Sequence, residues 1–128
     1  MKVLCVDDDL MNRQVVQSML AVAGASTVDA ADAETGLALA KAENFDMVLM
    51  DLRMPGMDGL TALRQLRSRP AAGAGVPVIM VTAETGPHLR RECLAAGADD
   101  VLQKPIAMTK LLKSISEIML RRNANVFA

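Results

Sequence analysis

The sequence predicts an α/β fold, with a doubly wound parallel sheet of five strands and five helices on its two faces. Short apolar runs without polar alternation, such as Met47–Met50 and Val76–Val81, are typical of strands buried on both faces of a parallel sheet. Between these runs, apolar residues recur every three or four positions, as in amphipathic helices. The alternation of the two patterns along the chain favours right-handed crossovers and a parallel sheet.

The composition narrows the class of protein. A length of 128 residues fits one domain that folds without disulfides. The apolar fraction is 52%, but no apolar run approaches the ~18 residues that span a bilayer, so we expect no membrane insertion. Met1–Val6 is too short for a signal peptide, which predicts a cytoplasmic protein with Cys5 and Cys93 as reduced core thiols. A net charge of −1 argues against direct DNA binding.

The first strand and helix follow the amino terminus. Residues 2–6 are predicted as a short buried strand. Asp9 can cap a helix that begins near Leu10, because its carboxylate accepts backbone N–H groups at the positive end of the helix dipole. Gly24 ends this helix. Apolar residues at helical spacing predict its core-facing stripe: Met11, Val15, Val16, Met19, Leu20 and Ala23.

The next segment predicts a weaker strand at residues 27–30 and a second helix that Asp32 caps and that continues to about Asn44. The third strand contains the apolar run Met47–Met50 and ends on Asp51. The proline and glycines that follow must turn the chain away from the strand. Asp51 is therefore left at the carboxyl edge of the sheet, where open α/β folds place their chemistry.

The second half of the chain continues the alternation. The third helix is predicted to have an apolar face formed by Leu60, Leu63 and Leu66. Its other face is predicted to be basic, with Arg64, Arg67 and Arg69. A fourth strand at residues 76–81 closes on Thr82, and Gly86-Pro87 opens a fourth helix. Residues 100–103 form a short fifth strand, which Lys104 follows. The last helix has the clearest amphipathic pattern: Met108, Leu111, Leu112, Ile115, Ile118 and Met119.

Polar side chains follow several of these predicted strands. Five strands in this alternation fit the flavodoxin-like order 2-1-3-4-5, in which strands 1 and 3 are neighbours. Asp7 and Asp8 follow strand 1 and Asp51 ends strand 3, so the three carboxylates would converge in one crevice. Thr82 and Lys104 would reach the same crevice from strands 4 and 5. Each residue alone is ordinary turn chemistry, but all of them fall at the carboxyl ends of strands.

Three carboxylates in one crevice repel one another unless protons or a cation offset their charge. Mg²⁺ prefers oxygen ligands and usually takes one or two carboxylates, so we expect Asp8 and Asp51 as direct ligands and Asp7 to act through water. A carboxylate can also attack phosphorus and form an aspartyl phosphate, for which Asp51 is the candidate. Lys104 supplies a positive charge for phosphoryl oxygens, and Thr82 supplies a hydroxyl donor.

Short motifs are spread over essentially the whole chain: Val6-Asp-Asp-Asp9, Leu49-Met-Asp51-Leu-Arg-Met-Pro-Gly-Met-Asp-Gly59, Val81-Thr-Ala83, Gly97-Ala-Asp-Asp100 and Lys104-Pro105. Together they resemble the receiver domain of two-component response regulators. The resemblance implies that Asp51 is the phosphorylation site and that Mg²⁺ binds to Asp8, Asp51 and the backbone carbonyl of Arg53. It also implies that Thr82 is the switch residue and that Lys104 is the lysine of the active site.

The resemblance further implies partners and a domain organisation. Receivers take a phosphoryl group from a phosphohistidine on a sensor kinase or a phosphotransfer protein, and they promote this transfer and their own dephosphorylation without being metabolic enzymes. We expect a receiver domain over residues 1–122, a short tail over 123–128 and no output domain. The chain would then be a stand-alone, chemotaxis-regulator-like protein that signals by binding an unknown downstream protein. The resemblance also implies a cis peptide bond between Lys104 and Pro105.

Some positions depart from the usual pattern or vary in the family. Many receivers carry Tyr or Phe where this chain has Val101, and that ring follows the switch threonine into the core on activation. Arg53 and Glu84 stand two residues beyond Asp51 and Thr82, at positions that influence the access of water to the acyl phosphate. These two side chains are expected to form an ion pair across the mouth of the site.

Three other functions fit parts of the pattern. An enzyme of the haloacid-dehalogenase type would need a second acid two residues after its nucleophile, where this chain has Arg53. A flavodoxin-like cofactor binder would need a loop rich in Gly, Ser and Thr after strand 1, and the acids of Asp7–Asp9 would repel its phosphate. A receiver fold used as a docking module, without phosphoryl turnover, stays open as an alternative.

Overall fold

The protein folds into one five-stranded parallel sheet with helices on both faces. A computed structural model describes residues 1–68 and 75–127, with side chains up to Arg122. The strands are β1 (Lys2–Val6), β2 (Ser26–Ala30), β3 (Met47–Asp51), β4 (Val78–Thr82) and β5 (Asp100–Gln103). The helices are α1 (Leu10–Val22), α2 (Ala33–Ala42), α3 (Gly59–Ser68), α4 (Pro87–Ala95) and α5 (Met108–Phe127). The order β2-β1-β3-β4-β5 confirms the predicted fold class.

Each face of the sheet has its own apolar core. Alternate residues of the strands point to opposite faces, so Leu4 and Met50 pack with α2, α3 and α4, whereas Val3 and Leu49 pack with α1 and α5. All five residues of β3 and of β4 are buried, as their unbroken apolar runs predicted. Both cysteines are buried free thiols, which agrees with the sequence analysis. The described helices include none with the length and apolarity needed to cross a bilayer.

The orientation of α1 differs from the predicted stripe. Val16 and Leu20 are buried, but Met11 is 73% exposed and Val15 is 50% exposed. Ala23 is exposed and lies just beyond the last residue of the helix. Val16 and Leu20 face the sheet, and Met19 is half-buried against the same core, as predicted, whereas Met11 and Val15 lie on the exposed side of the helix. The prediction that Met11, Val15 and Ala23 face the core is therefore wrong.

The basic face predicted for α3 is also partly wrong. Arg64 is exposed as expected, but Arg67 turns inward and donates to the carbonyls of Val76 (2.6 Å) and Gly97 (2.8 and 3.0 Å). The same guanidinium bonds to Asp99 Oδ2 at 3.2 Å. Burial lowers the pKa of Arg67 below its usual range. The Arg67 side chain therefore points inward because it donates to backbone carbonyls there. Arg69, which was predicted on the same face, lies outside the described residues.

Local capping explains the helix boundaries that the sequence predicted. Asp9 accepts from the N–H groups of Met11 and Asn12 at the start of α1, and Asp32 accepts from that of Thr35 in α2. Two ends differ from expectation. Helix α2 stops at Ala42, and α5 continues to Phe127, so the backbone of residues 123–127, which was predicted as a tail, is helical.

Candidate functional site

The carboxyl edge of the sheet brings together the three predicted acids. Asp51 is the last residue of β3 and is only 5% exposed. Asp7 and Asp8 directly follow β1, which pairs with β3 in parallel register. Carboxylate oxygens of the three residues lie within 4.8 Å of one another, with Asp7 half-buried and Asp8 exposed. The crevice predicted between neighbouring strands 1 and 3 is therefore formed.

Lys104 places a positive charge inside this acidic crevice. Its Nζ lies 3.1 Å from Asp51 Oδ1 and 3.2 Å from Asp7 Oδ2. Burial by itself lowers the pKa of Lys104, but the hydrogen bond and charge of Asp51 outweigh burial and leave the pKa above its usual value. The peptide bond between Lys104 and Pro105 is cis, as the resemblance implied. Lys104 therefore stays protonated and offsets part of the acidic charge.

The carboxyl of Asp51 is the most strongly perturbed acid of the site. Burial raises its pKa to about 6, the hydrogen bond from Lys104 acts in the opposite direction, and the charge of Asp7 raises it further. Without a bound cation, part of the crevice's negative charge is therefore removed by a proton in mildly acidic solution. A bound cation favours the ionised form, which is the form that can act as a nucleophile.

This shift predicts a pH dependence of stability. Because the folded pKa of about 6 lies above the unfolded value of 3.8, the native state binds the proton more tightly, and stability is lost as the pH rises from about 4 to about 6. At pH 7.5 without Mg²⁺, the free energy of unfolding of Asp51→Asn is expected to be about 1 to 2 kcal/mol higher than that of wild type. This value is smaller than the full pKa shift implies, because the crevice is open to water. Urea unfolding curves measure this difference.

The pH series also contains its own control. The advantage of Asp51→Asn should disappear near pH 4 and shrink at pH 7.5 when Mg²⁺ is saturating. Glu117→Gln removes an exposed carboxylate from α5 and should change the free energy of unfolding by less than about 0.5 kcal/mol at either pH. An Asp51→Asn variant less stable than wild type at pH 7.5 would contradict the raised pKa.

The donor set of the crevice suits a hard divalent cation. Its acids are oxygen ligands, and the side chain of Asp8 forms no hydrogen bond or ion pair with the part of the chain that is described. By contrast, Asp7 Oδ1 accepts from the backbone N–H of Asp9 at 2.8 Å, and its Oδ2 faces Lys104. Asp8 is thus free to bind a metal directly, whereas Asp7 is largely engaged. Asp8 as a direct ligand and Asp7 as a ligand through water stay predictions.

Thr82 and the pair Arg53–Glu84 surround the same edge. Thr82 ends β4, is only 3% exposed, and its hydroxyl oxygen accepts from the backbone N–H of Glu84 at 3.0 Å. Arg53 Nε lies 2.5 Å from Glu84 Oε1, and its Nη2 lies 3.2 Å from Oε2. The predicted ion pair is therefore confirmed. Its influence on water access, and the carbonyl of Arg53 as a metal ligand, stay predictions.

Gly59 has a structural role at the site that the sequence analysis did not assign. Its N–H donates to the carbonyl of Leu52 at 2.8 Å, which starts α3 directly behind the end of β3. A Cβ at this position would lie only 2.1 Å from the backbone carbonyl oxygen of Asp51. Only glycine therefore allows the chain to pass so close to Asp51, and a turn glycine in the sequence gives no signal of that proximity.

The fold and the site together define a class of protein: an α/β domain built around an acidic metal pocket that contains a lysine. The sequence model of the response regulator receiver domain matches residues 3–116, so the chain belongs to the receiver domain family of two-component signalling. This family is a phosphoacceptor signalling module and not a class of metabolic enzymes. Its members bind Mg²⁺ at the acidic pocket of the active site, which here is the cluster Asp7, Asp8 and Asp51.

Individual relatives support the same assignment. The sensory/regulatory protein RpfC of Xanthomonas campestris is 39% identical over 119 residues, which cover 92% of this chain but only 16% of RpfC. Chemotaxis protein CheY4 of Vibrio cholerae is 36% identical with a TM-score of 0.83, covering 91% of this chain and 96% of CheY4. The receiver domain of the sensor histidine kinase PA1611 from Pseudomonas aeruginosa is 33% identical, with a TM-score of 0.82 and coverages of 91% and 94%. That structure has a magnesium ion coordinated in its active-site cleft.

Proposed function

We propose that this chain accepts a phosphoryl group on Asp51 from a phosphohistidine of a sensor histidine kinase or a phosphotransfer protein. The reaction requires Mg²⁺, and the phosphorylated chain signals through contact with another protein. The observation that carries this proposal is the placement of a buried nucleophilic carboxylate 3.1 Å from Lys104 and within 4.8 Å of two further acids. Such a site can neutralise the charge of an incoming phosphoryl group.

The residues of the site divide the transfer among them. A carboxylate oxygen of Asp51 forms a bond to phosphorus while the bond between phosphorus and the donor's imidazole nitrogen breaks, and that nitrogen keeps the electron pair. Lys104 faces the phosphoryl oxygens from the side of Asp51 Oδ1. Asp8, Asp51 and the carbonyl of Arg53 would hold Mg²⁺, with Asp7 acting through water, and the bound ion would supply a second positive charge. The Thr82 hydroxyl can then donate to the phosphoryl group and act as the switch.

The wild-type chain offers a direct test of the proposal. Incubation with Mg²⁺ and acetyl phosphate, a small phosphodonor, should produce a singly phosphorylated chain in intact-mass measurements, and chelation of the metal should prevent it. A chain that forms no adduct with this donor or with any phosphohistidine protein would favour the alternative of a docking module without phosphoryl turnover.

An exposed apolar surface beside the site supports a protein as the natural donor. A groove of about 460 Å³ next to α1 includes two active-site residues in its lining: Asp7, Asn12, Val15, Val16, Ala83, Lys104, Pro105 and Ile106. Leu10, Met11 and Val15 on α1 are 56%, 73% and 50% exposed. We infer that a donor that delivers its histidine to Asp51 contacts this surface, because contiguous exposed apolar patches are typical of protein contacts.

Val15→Glu is expected to separate the two kinds of donor. The substituted side chain places a charge in the groove, so transfer from a phosphohistidine protein should slow by about tenfold or more, as for a residue in the centre of an interface. Phosphorylation by acetyl phosphate should not change, because a small donor needs no docking. Val22→Glu is the control, since Val22 is 71% exposed at the far end of α1. Equal rates for wild type and Val15→Glu with the protein donor would reject this surface.

The form in which the chain works is a further part of the proposal. Its relatives carry receivers both as nearly whole chains, as in CheY4, and as parts of longer proteins, as in RpfC. A stand-alone regulator without an output domain therefore stays a prediction, as does its cytoplasmic location. The downstream target is proposed only as a protein.

A further inference from the structure

Arg13 on α1 connects the acidic loop to the neighbouring strand. Its side chain is only 11% exposed. Nη1 donates to the backbone carbonyl of Asp7 at 2.6 Å, and Nε donates to Asp29 Oδ2 on β2 at 2.8 Å. One guanidinium thus joins the helix, the edge strand and the loop that carries Asp7 and Asp8. Arg13 takes no direct part in the proposed transfer.

The hydrogen bond from Arg13 to the Asp7 carbonyl also affects the backbone of Asp8. The N–H of Asp7 donates to the carbonyl of Ala30 at 3.1 Å, so β2 also holds the other side of the residue. The carbonyl of Asp7 and the N–H of Asp8 belong to one planar peptide group. A donor that holds this carbonyl therefore also holds the orientation of the Asp7–Asp8 peptide plane, and with it the backbone of Asp8. Asp8 needs that support, because within the described chain its own side chain has no hydrogen-bond partner.

We propose that Arg13 is a positioning residue for the metal site, acting through the peptide group between Asp7 and Asp8. The inference rests on the proposed function for the identity of Asp8 as a direct ligand. Arg13 sets the direction of the Asp8 carboxylate and makes no described contact with a carboxylate of the site. Partners of this kind that orient metal ligands typically change metal affinity by about 10- to 100-fold when they are removed.

Charge and geometry predict opposite effects for the loss of Arg13. A cation near an acidic pocket repels Mg²⁺, so removal of its charge alone would strengthen metal binding. Removal of its hydrogen bonds lets the peptide group of Asp8 move. This weakens Mg²⁺ binding, because the Asp8 carboxylate then loses conformational entropy when it binds the metal. The sign of the change in affinity therefore distinguishes a positioning residue from a nearby charge.

Titration calorimetry of Mg²⁺ with the full chain, without a phosphodonor, tests the proposal. Arg13→Ala should bind Mg²⁺ about tenfold more weakly than wild type. Arg13→Lys keeps the charge but not the planar fork that reaches both partners, so it should also bind more weakly, by a smaller factor. Lys113→Ala is the charge-matched control, since Lys113 is 77% exposed on the outer side of α5, and its affinity should equal that of wild type.

Two further measurements keep the inference testable. Urea unfolding without Mg²⁺ reports whether each variant is folded. If Arg13→Ala does not fold, Arg13→Lys decides, because it keeps the charge but loses the planar fork and should weaken binding. Equal or tighter Mg²⁺ binding by the folded variants would overturn the proposal, and so would a wild type that binds no Mg²⁺. A wild type that binds Mg²⁺ but accepts no phosphoryl group would reject the proposed function alone.

Discussion

Asp51→Asn is expected to abolish phosphorylation completely. The asparagine amide preserves the size and shape of the side chain at the end of β3, but it has no carboxylate oxygen that can form a bond to phosphorus. Lys104, which lies 3.1 Å from the Asp51 carboxylate, and the remaining acids do not replace the missing nucleophile. Intact-mass measurement after incubation with Mg²⁺ and acetyl phosphate should therefore show an adduct on wild type and none on the variant.

The specificity of this result depends on a matched carboxylate. Asp46→Asn is suitable because Asp46 is exposed just before β3 and its side chain accepts from the backbone N–H of Lys2, a bond that asparagine can also accept. It should be phosphorylated as wild type is. An adduct that survives in Asp51→Asn would falsify the assignment of the acceptor, and peptide mapping would then locate the residue that carries it.

Lys104→Ala is expected to give the second-largest effect, a fall of about 100-fold in the rate of phosphorylation, as when one preorganised donor is lost from a transition state. Lys104 contacts Asp51 and Asp7 at 3.1 and 3.2 Å, so its removal leaves the phosphoryl oxygens without a donor on that side. Rates at saturating Mg²⁺, with loading followed by mass, measure the change. Saturation with metal separates this effect from any change in Mg²⁺ affinity.

The neighbouring lysine of α5 provides the control for this variant. Lys110 is exposed near the start of the helix, so Lys110→Ala removes the same charge without touching the acidic crevice. Its rate should equal that of wild type. Lys104→Arg should recover only part of the loss, because a planar guanidinium does not fit a site for a compact ammonium. A wild-type rate for Lys104→Ala would remove this lysine from the mechanism.

The residues at the ends of strands were predictable because topology alone brings them together. Once a strand is recognised by its apolar run, a parallel order places its carboxyl end at a known edge. This edge then brings together the residues at the strand ends, whatever the exact positions of the helices: Asp7, Asp8, Asp51 and Lys104. The ion pair of Arg53 with Glu84 was instead expected from the family resemblance, which singles out the positions two residues beyond Asp51 and Thr82.

The residues that the sequence did not reveal depend on contacts between elements. Helical periodicity finds the apolar residues of α1 but does not show which of them face the sheet, so Met11 and Val15 were placed in the core. Arg67 looked like a surface arginine because the carbonyls that it satisfies belong to distant segments. Arg13 matters because of its hydrogen bond to the acidic loop, and Gly59 matters because the chain passes close to the end of β3 at that residue. Such contacts leave no periodic trace in a single sequence.

The cluster around Arg67 has a mechanical consequence for the whole molecule. At the amino edge of the sheet, Arg67 and Arg122 both bond to Asp99, which also accepts from the N–H of Val78. These bonds clamp α3, α5 and the start of β4 together. The opposite edge carries exposed loop residues such as 83–86. We therefore expect the amino edge of the sheet to be the more rigid one, so that a displacement that starts at Thr82 fades along the strands before it reaches Asp99.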